Sequence, residues 1–228
     1  MDAFGLALSE YFNNDARNTL WIHNTYGEKE EMPIEVFFRS EDELSELELT
    51  ALQLCTGKIL DIGAGVGSHS LILQERGFPN TALEISESAC KIMASRGVKR
   101  IVNQDFFSYQ SEKFDTLLLM MNGIGLIGKI SNLQIFLTHC DKLLSKGGQI
   151  LFDSSDISYL YQDLPFPSNA YFGELKYKYE YKETVNNWFD WLYIDVRMLE
   201  QKLENSDWKF ELLYEDGMDQ YLGKLSRK

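Results

Sequence analysis

Apolar residues recur at helical spacing at the start of the chain, through Ala3, Phe4, Ala7, Leu8, Tyr11 and Phe12, which predicts a short amphipathic helix. A second helix is better marked. Ser40 and Glu43 make a capping-box pattern, Leu44, Leu47, Ala51, Leu52 and Cys55 follow, and Gly57 closes the segment. From Lys58 the rhythm becomes strand, glycine turn, helix. Residues 59–62 are a short apolar run, and Leu71 and Ile72 precede a stop at Gly77. Residues 81–85 form the next strand, after which Ser86 caps a helix carrying Ala89, Ile92 and Met93 and ending at Gly97. Residues 101–103 are a third, short strand. Residues 116–121 are apolar on both faces, as a central parallel strand covered by helices should be. The clearest helix starts at Ser131, with Leu133, Phe136, Leu137, Cys140, Leu143 and Leu144 on one stripe, and residues 149–152 are the strand after Gly147-Gly148.

Past residue 154 the period shortens to two. Leu175, Tyr177, Tyr179 and Tyr181 share one face of a strand whose other face is Lys176, Lys178, Glu180 and Lys182. Asn186-Asn187 offers the turn, and residues 188–191 the returning partner. A helix with Leu192, Val196, Leu199 and Leu203 comes next, then strands at 209–214 and 220–225. The chain thus reads as α/β: a doubly wound, mostly parallel seven-stranded sheet with an antiparallel C-terminal edge and helices on both faces. One domain is expected over residues 1–228. It divides into an N-terminal helical cap (1–57), a core (58–154), an aromatic β insertion (155–191) and a C-terminal helix with edge strands (192–228).

Composition narrows the class. A length of 228 residues with 44% hydrophobic and 25% charged residues suits a globular domain that needs no disulfides. Mean hydropathy of -0.27 and the lack of an 18-residue apolar run argue against a membrane span. Residues 1–5 lack the basic start and apolar core of a secretory signal, so a cytoplasmic setting is expected, with Cys55, Cys90 and Cys140 as buried reduced thiols. The net charge of -13 repels a phosphate backbone, and Lys176, Lys178 and Lys182 are interleaved with Glu174, Glu180 and Glu183. Nucleic acid is therefore not an expected partner.

The chemistry gathers where the strand 59–62 meets Gly63, Gly65 and Gly67. Three glycines in five residues cost backbone entropy, and the carboxyl end of a strand in an open α/β sheet is where a nucleotide-like ligand approaches the backbone. The spacing is GxGxG rather than the GxGxxG of dinucleotide sites, and an acidic residue, Asp61, lies where a pyrophosphate would suffer. It would instead attract the ammonium and sulfonium groups of S-adenosyl-L-methionine.

The string Leu60-Asp61-Ile62-Gly63-Ala64-Gly65-Val66-Gly67 resembles the first motif of class I S-adenosylmethionine-dependent methyltransferases, and the resemblance runs in order through most of residues 58–153. It implies that Gly63, Ala64, Gly65 and Gly67 line the cofactor, that Glu84 accepts from both ribose hydroxyls, and that Ile85 lies against the adenine. It also implies that Asp105 accepts from the exocyclic amine while Phe106 flanks the ring. Met121 and Asn122 stand where the family brings acceptor and donor together. Members acting on nucleobases or protein glutamine carry Asn-Pro-Pro-aromatic there, whereas Asn122 is followed by Gly123-Ile124, which counts against those substrates. A small-molecule acceptor is expected, with no nucleic-acid or membrane partner, in a monomer or homodimer. A nicotinamide-dependent oxidoreductase and a non-catalytic S-adenosylmethionine-binding protein are the alternatives.

No catalytic residue is legible, since methyl transfer asks mainly for alignment. His69 is read as covering a helix end, His23 as part of a possible cover on the cofactor, and His139 as exposed. With no HxxxH or CxxC spacing, no metal is expected. Arg39 suits either the cofactor carboxylate or a surface pair with Glu41 or Asp42. The aromatic stretch 159–191 has three open readings: a roof over a substrate pocket, packing on the core, or a dimer contact.

Overall fold

The computed structural model describes residues 2–15, 18–163 and 165–228. In chain order the elements are α1 (Ala3–Phe12), β1 (Trp21–His23), β2 (Glu30–Glu31), α2 (Glu46–Leu54), β3 (Ile59–Ile62), α3 (Ser68–Glu75), β4 (Asn80–Glu84), α4 (Glu87–Arg96) and β5 (Ile101–Asn103). They continue as β6 (Phe114–Leu119), α5 (Leu133–Leu143), β7 (Leu144–Ser155), β8 (Glu174–Tyr181), β9 (Thr184–Val185), β10 (Phe189–Leu192), α6 (Val196–Leu203), β11 (Trp208–Glu215) and β12 (Gln220–Arg227).

The main sheet has seven strands in the order β11-β12-β7-β6-β3-β4-β5, with β6 at its centre. β7, β6, β3, β4 and β5 are parallel, and β12 is antiparallel to both β7 and β11, giving the expected C-terminal edge. Alternation along β6 sends side chains to two cores. Leu117 and Leu119 pack with Phe136, Leu137 and Cys140 of α5, while Leu118 packs with Leu47, Ala51 and Leu52 of α2 and Leu73 of α3. Strand order runs outward in opposite directions from β3 and β6. The crevice at their carboxyl ends is therefore the topological switch point, where ligands bind in open α/β sheets.

A second, antiparallel sheet of five strands has the order β10-β8-β1-β2, with β9 also on β8. The N-terminal segment is thus more than helical, because Trp21, Ile22 and His23 pair with Glu180, Tyr179 and Lys178 of the aromatic stretch. A three-residue strand is too short to show a period. α1 is as expected and packs on α4 and β8.

Four other local expectations are corrected. The Ser40/Glu43 box exists, but it caps a single 3-10 turn; α2 begins later, with its own box from Ser45 and Glu48. The hairpin reverses at residues 182–183, where Lys182 takes φ of 54°, and Tyr181 pairs with Thr184. Asn186 instead accepts from the Ala3 amide at 2.7 Å, at the start of α1. Leu192 ends β10, and Asp195 caps α6. His139 is buried, edge-on to Phe106 with centroids 4.8 Å apart, because its turn of α5 faces the loop after β5.

Candidate active site

The loop after β3 is shaped by its glycines, which take φ of 71° at Gly63, 55° at Gly65 and 84° at Gly67, a region that side chains disfavour. They do different jobs. A Cβ at Gly67 would lie 2.8 Å from Val98 and 3.0 Å from Met93, so this glycine lets α3 start close against α4. A Cβ at Gly63 would meet nothing within 4 Å, and one at Gly65 only Phe37 at 3.9 Å. Their backbone faces open space, where a ligand can approach.

Glu84 joins this loop to β4. Its Oε2 accepts from the Gly65 amide at 2.9 Å and its Oε1 from the Ser86 amide at 2.8 Å. Burial pushes its carboxyl up, against the pull of these amides. Each oxygen has a second lone pair, so the carboxylate can still receive two hydroxyls. Beside it, Ile85 is 69% exposed, an unusual state for an isoleucine at a buried strand end. Asn103 donates to the carbonyls of Glu84 and Ile85 at 3.0 and 2.9 Å and fixes this corner. Asp61 lies beneath the loop, fully buried, with Oδ2 accepting from Ser70 at 2.7 Å, and burial raises its pKa while His69 opposes the rise.

On the turn after β5, Asp105 is exposed and accepts from the Ser108 amide at 3.2 Å. Phe106 turns inward against Phe136 and His139. The residues expected to hold the ligand thus form one group at β3 and β4 and a second at this turn.

A third group ends β6. Met121 and Asn122 take φ of 64° and 56°, consecutive left-handed residues without a glycine, which is strained backbone of the sort found at functional sites. Asp153, at the end of β7, holds them. Its Oδ2 accepts from the Asn122 amide at 2.8 Å and from Gln220 at 2.7 Å, and its Oδ1 from the Gly123 amide at 3.3 Å. Ser155 donates to the Asn122 side chain at 2.9 Å. Burial raises the Asp153 pKa to about 6 in spite of these donors. Sequence reasoning missed Asp153, although it interrupts an apolar strand just as Glu84 does. Asp153→Asn would set amide hydrogens against backbone donors, and a loss of about 2 kcal/mol is expected in denaturant titration. A carboxyl with a raised pKa favours the fold below its ordinary 3.8 and loses that contribution as pH rises through about 6. Thermal melts of Asp153→Asn should therefore be flatter across that window than those of the parent.

A buried ion cluster supports the loop from the other side. Arg39 donates to both oxygens of Glu48 at 2.7 and 2.8 Å, and His69 Nε2 lies 2.9 Å from Oε1. Arg39 therefore pairs with Glu48 rather than with Glu41 or Asp42. His69 takes the structural part. Ser68 donates to the Phe37 carbonyl at 2.7 Å, tying the start of α3 to the N-terminal segment. His23 meets Glu180 at 2.6 Å on the small sheet.

A doubly wound sheet with a glycine loop, a strand-end acidic residue and a polar turn around one switch point defines the class I, S-adenosylmethionine-dependent methyltransferase fold. The chain belongs to the methyltransferase domain family, which matches residues 41–208. Its structure superposes on an S-adenosylmethionine-dependent methyltransferase from Bacteroides fragilis, solved with S-adenosyl-L-homocysteine, with TM-score 0.91 and 34% identity over 99% of this chain and 94% of that one. A methyltransferase from Clostridium acetobutylicum ATCC 824 shares the fold at TM-score 0.59 and 14% identity, covering 82% of this chain and 93% of the other. A Geobacillus sp. strain WCH70 protein named as a methyltransferase is 25% identical over 121 residues, and the match spans 49% of each chain. The nicotinamide-dependent alternative is set aside by the family match. Among the described residues no helix is long and apolar enough to cross a membrane, and no group of three or more potential ligands is placed to hold a metal.

Proposed function

We propose that this protein transfers a methyl group from S-adenosyl-L-methionine to a small-molecule acceptor held between the carboxyl ends of the main sheet and the aromatic small sheet. The carrying observation is the seating of the small sheet on the turn that follows Asn122: a Cβ on Gly125 would lie 2.1 Å from the Trp191 ring. That contact narrows the approach to the strand ends, which favours a small acceptor over a macromolecule. Once bound, S-adenosylmethionine supplies a methyl carbon activated by a sulfonium, with a neutral thioether as leaving group. Gly63, Ala64 and Gly65 offer their backbone, Glu84 takes the ribose hydroxyls, Ile85 covers the adenine, and Asp105 receives its amine. Phe106 supports that turn from below. Asp61 sets a negative charge under the loop, and Met121 and Asn122 form the wall that aligns the acceptor.

A cytoplasmic setting is part of the proposal, supported by three free, buried cysteines. So is work as a monomer or homodimer without nucleic-acid or membrane partners, which the net charge of -13 favours. Incubation with methyl-labelled S-adenosylmethionine and a cell extract, followed by size fractionation and chromatography, should put the label in a low-mass product distinct from the donor. Label in protein or nucleic acid would reject the small acceptor, and tight binding with no transfer would favour a sensor.

A further inference from the structure

The face of the small sheet that carries Tyr177 and Tyr179 forms a continuous aromatic wall. Tyr179 and Phe189 have centroids 5.5 Å apart, Tyr177 and Phe189 6.2 Å, and Phe189 and Trp191 6.1 Å. At one end Trp191 bears on Gly125, in the turn after Asn122. At the other, Tyr179 stacks on Phe4 at 5.1 Å, and Phe4 meets Phe37, the side chain nearest Gly65. The wall therefore runs from the cofactor loop to the strained turn.

Hydroxyls stud this wall. Tyr177 donates to Tyr193 at 3.2 Å, and Tyr26 lies beside both Tyr177 and Glu30. Burial raises the pKa of Tyr26, Tyr177, Tyr179 and Tyr193, and neighbouring carboxylates add to the rise at Tyr26, Tyr179 and Tyr193. They are Glu30 on Tyr26 and Tyr193, Glu84 on Tyr179, and Asp153 on Tyr193. The lysines of this sheet are used on its other face, where Lys176 reaches Asp190 and Lys178 lies over Trp188. An anionic acceptor would meet carboxylates and aromatic faces. An ammonium would meet π faces and carboxylates, both of which attract it.

Resting on the methyltransferase reading above, we propose that the acceptor is an alkyl amine, bound as its ammonium against this aromatic wall beside the point where Trp191 meets the turn at 121–127, with Glu30 at the exposed mouth. For transfer, the ammonium releases one proton to solvent at the mouth. Its freed lone pair forms the new N–C bond with the donor methyl while the C–S bond breaks, both electrons staying on sulfur. The product leaves as a methylated ammonium, so the positive charge passes from sulfur to nitrogen.

The test uses the full chain saturated with S-adenosylhomocysteine and three matched probes: phenethylamine, phenethyl alcohol and hydrocinnamate. Ligand-observed NMR titration should show the ammonium binding about tenfold more tightly than the other two, the scale of a desolvated cation–π contact. Glu30→Gln should shrink that preference severalfold and leave S-adenosylhomocysteine affinity unchanged. Equal or tighter binding of the alcohol or the carboxylate overturns the proposal, as does a chain that retains S-adenosylhomocysteine yet binds no amine. An unchanged preference in Glu30→Gln overturns it as well. Failure to bind S-adenosylhomocysteine at all would overturn the methyltransferase reading itself, and the amine acceptor with it.

Discussion

Gly65→Val is expected to abolish S-adenosylmethionine binding while the protein still folds. The native φ of 55° is one that a β-branched residue adopts only at a cost of about 1 to 2 kcal/mol. The space that a side chain would enter is open except for Phe37 at 3.9 Å, so the main loss falls on the ligand and not on packing. The backbone shift would also disturb the Gly65 amide, whose bond to Glu84 shapes the corner. Glu84→Ala should weaken binding by about 1 to 3 kcal/mol, the range for hydrogen bonds to a charged group. Calorimetric titration checks both, and wild-type affinity in the pair would refute the site.

Glu48→Ala is expected to be the most destabilising single change outside the hydrophobic core. It would leave the half-buried Arg39 and the buried His69 without their carboxylate, and breaking a buried pair by removing one partner costs about 3 to 5 kcal/mol. For a chain of this length that corresponds to a fall in Tm of about 10 °C. The same residue sets an acid limit. Burial pushes the Glu48 carboxyl up, but hydrogen bonds from His69 and Arg39 outweigh this and hold it at about 2. Because the folded pKa lies below the ordinary 4.5, the contribution is complete above that value and disappears as pH falls through about 2. At about 1.4 kcal/mol per unit this amounts to about 3 kcal/mol. Acid titration by circular dichroism should show Glu48→Gln losing part of the parent's stability advantage at neutral pH and converging on it at low pH. Parallel curves would refute the assignment.

Much of the main sheet is legible in local signals. β3 and β6 stand out because buried parallel strands are largely apolar, and the glycines at 63, 65 and 67 mark the loop through a conformational demand that acts at single residues. The cofactor corner was readable for the same reason: Glu84 is a carboxylate where an apolar strand ends. Less visible were the contacts that join distant segments. Asp153 belongs to the site only because β7 lies next to β6, and nothing near residue 153 in the chain names Asn122 as its partner. Arg39 has two acidic neighbours in sequence, yet it pairs with Glu48, nine positions on, because α2 turns that carboxylate inward. His139 was misplaced because helical periodicity identifies the main buried stripe and not the second surface that a loop covers.

The glycine loop, its acidic strand end and the alternation of strands and helices were determined by sequence alone, since each rests on what a residue's own backbone and side chain permit. Tertiary structure decided the rest: the pairing of β1 with β8 that builds the second sheet, the carboxylate that holds the strained Met121-Asn122 turn, and the aromatic wall between cofactor loop and turn. These depend on segments brought together from 30 residues apart, for Asp153 and Gly123, to more than a hundred, for β1 and β8, where the stabilising contacts are non-local and leave no periodic trace in the chain.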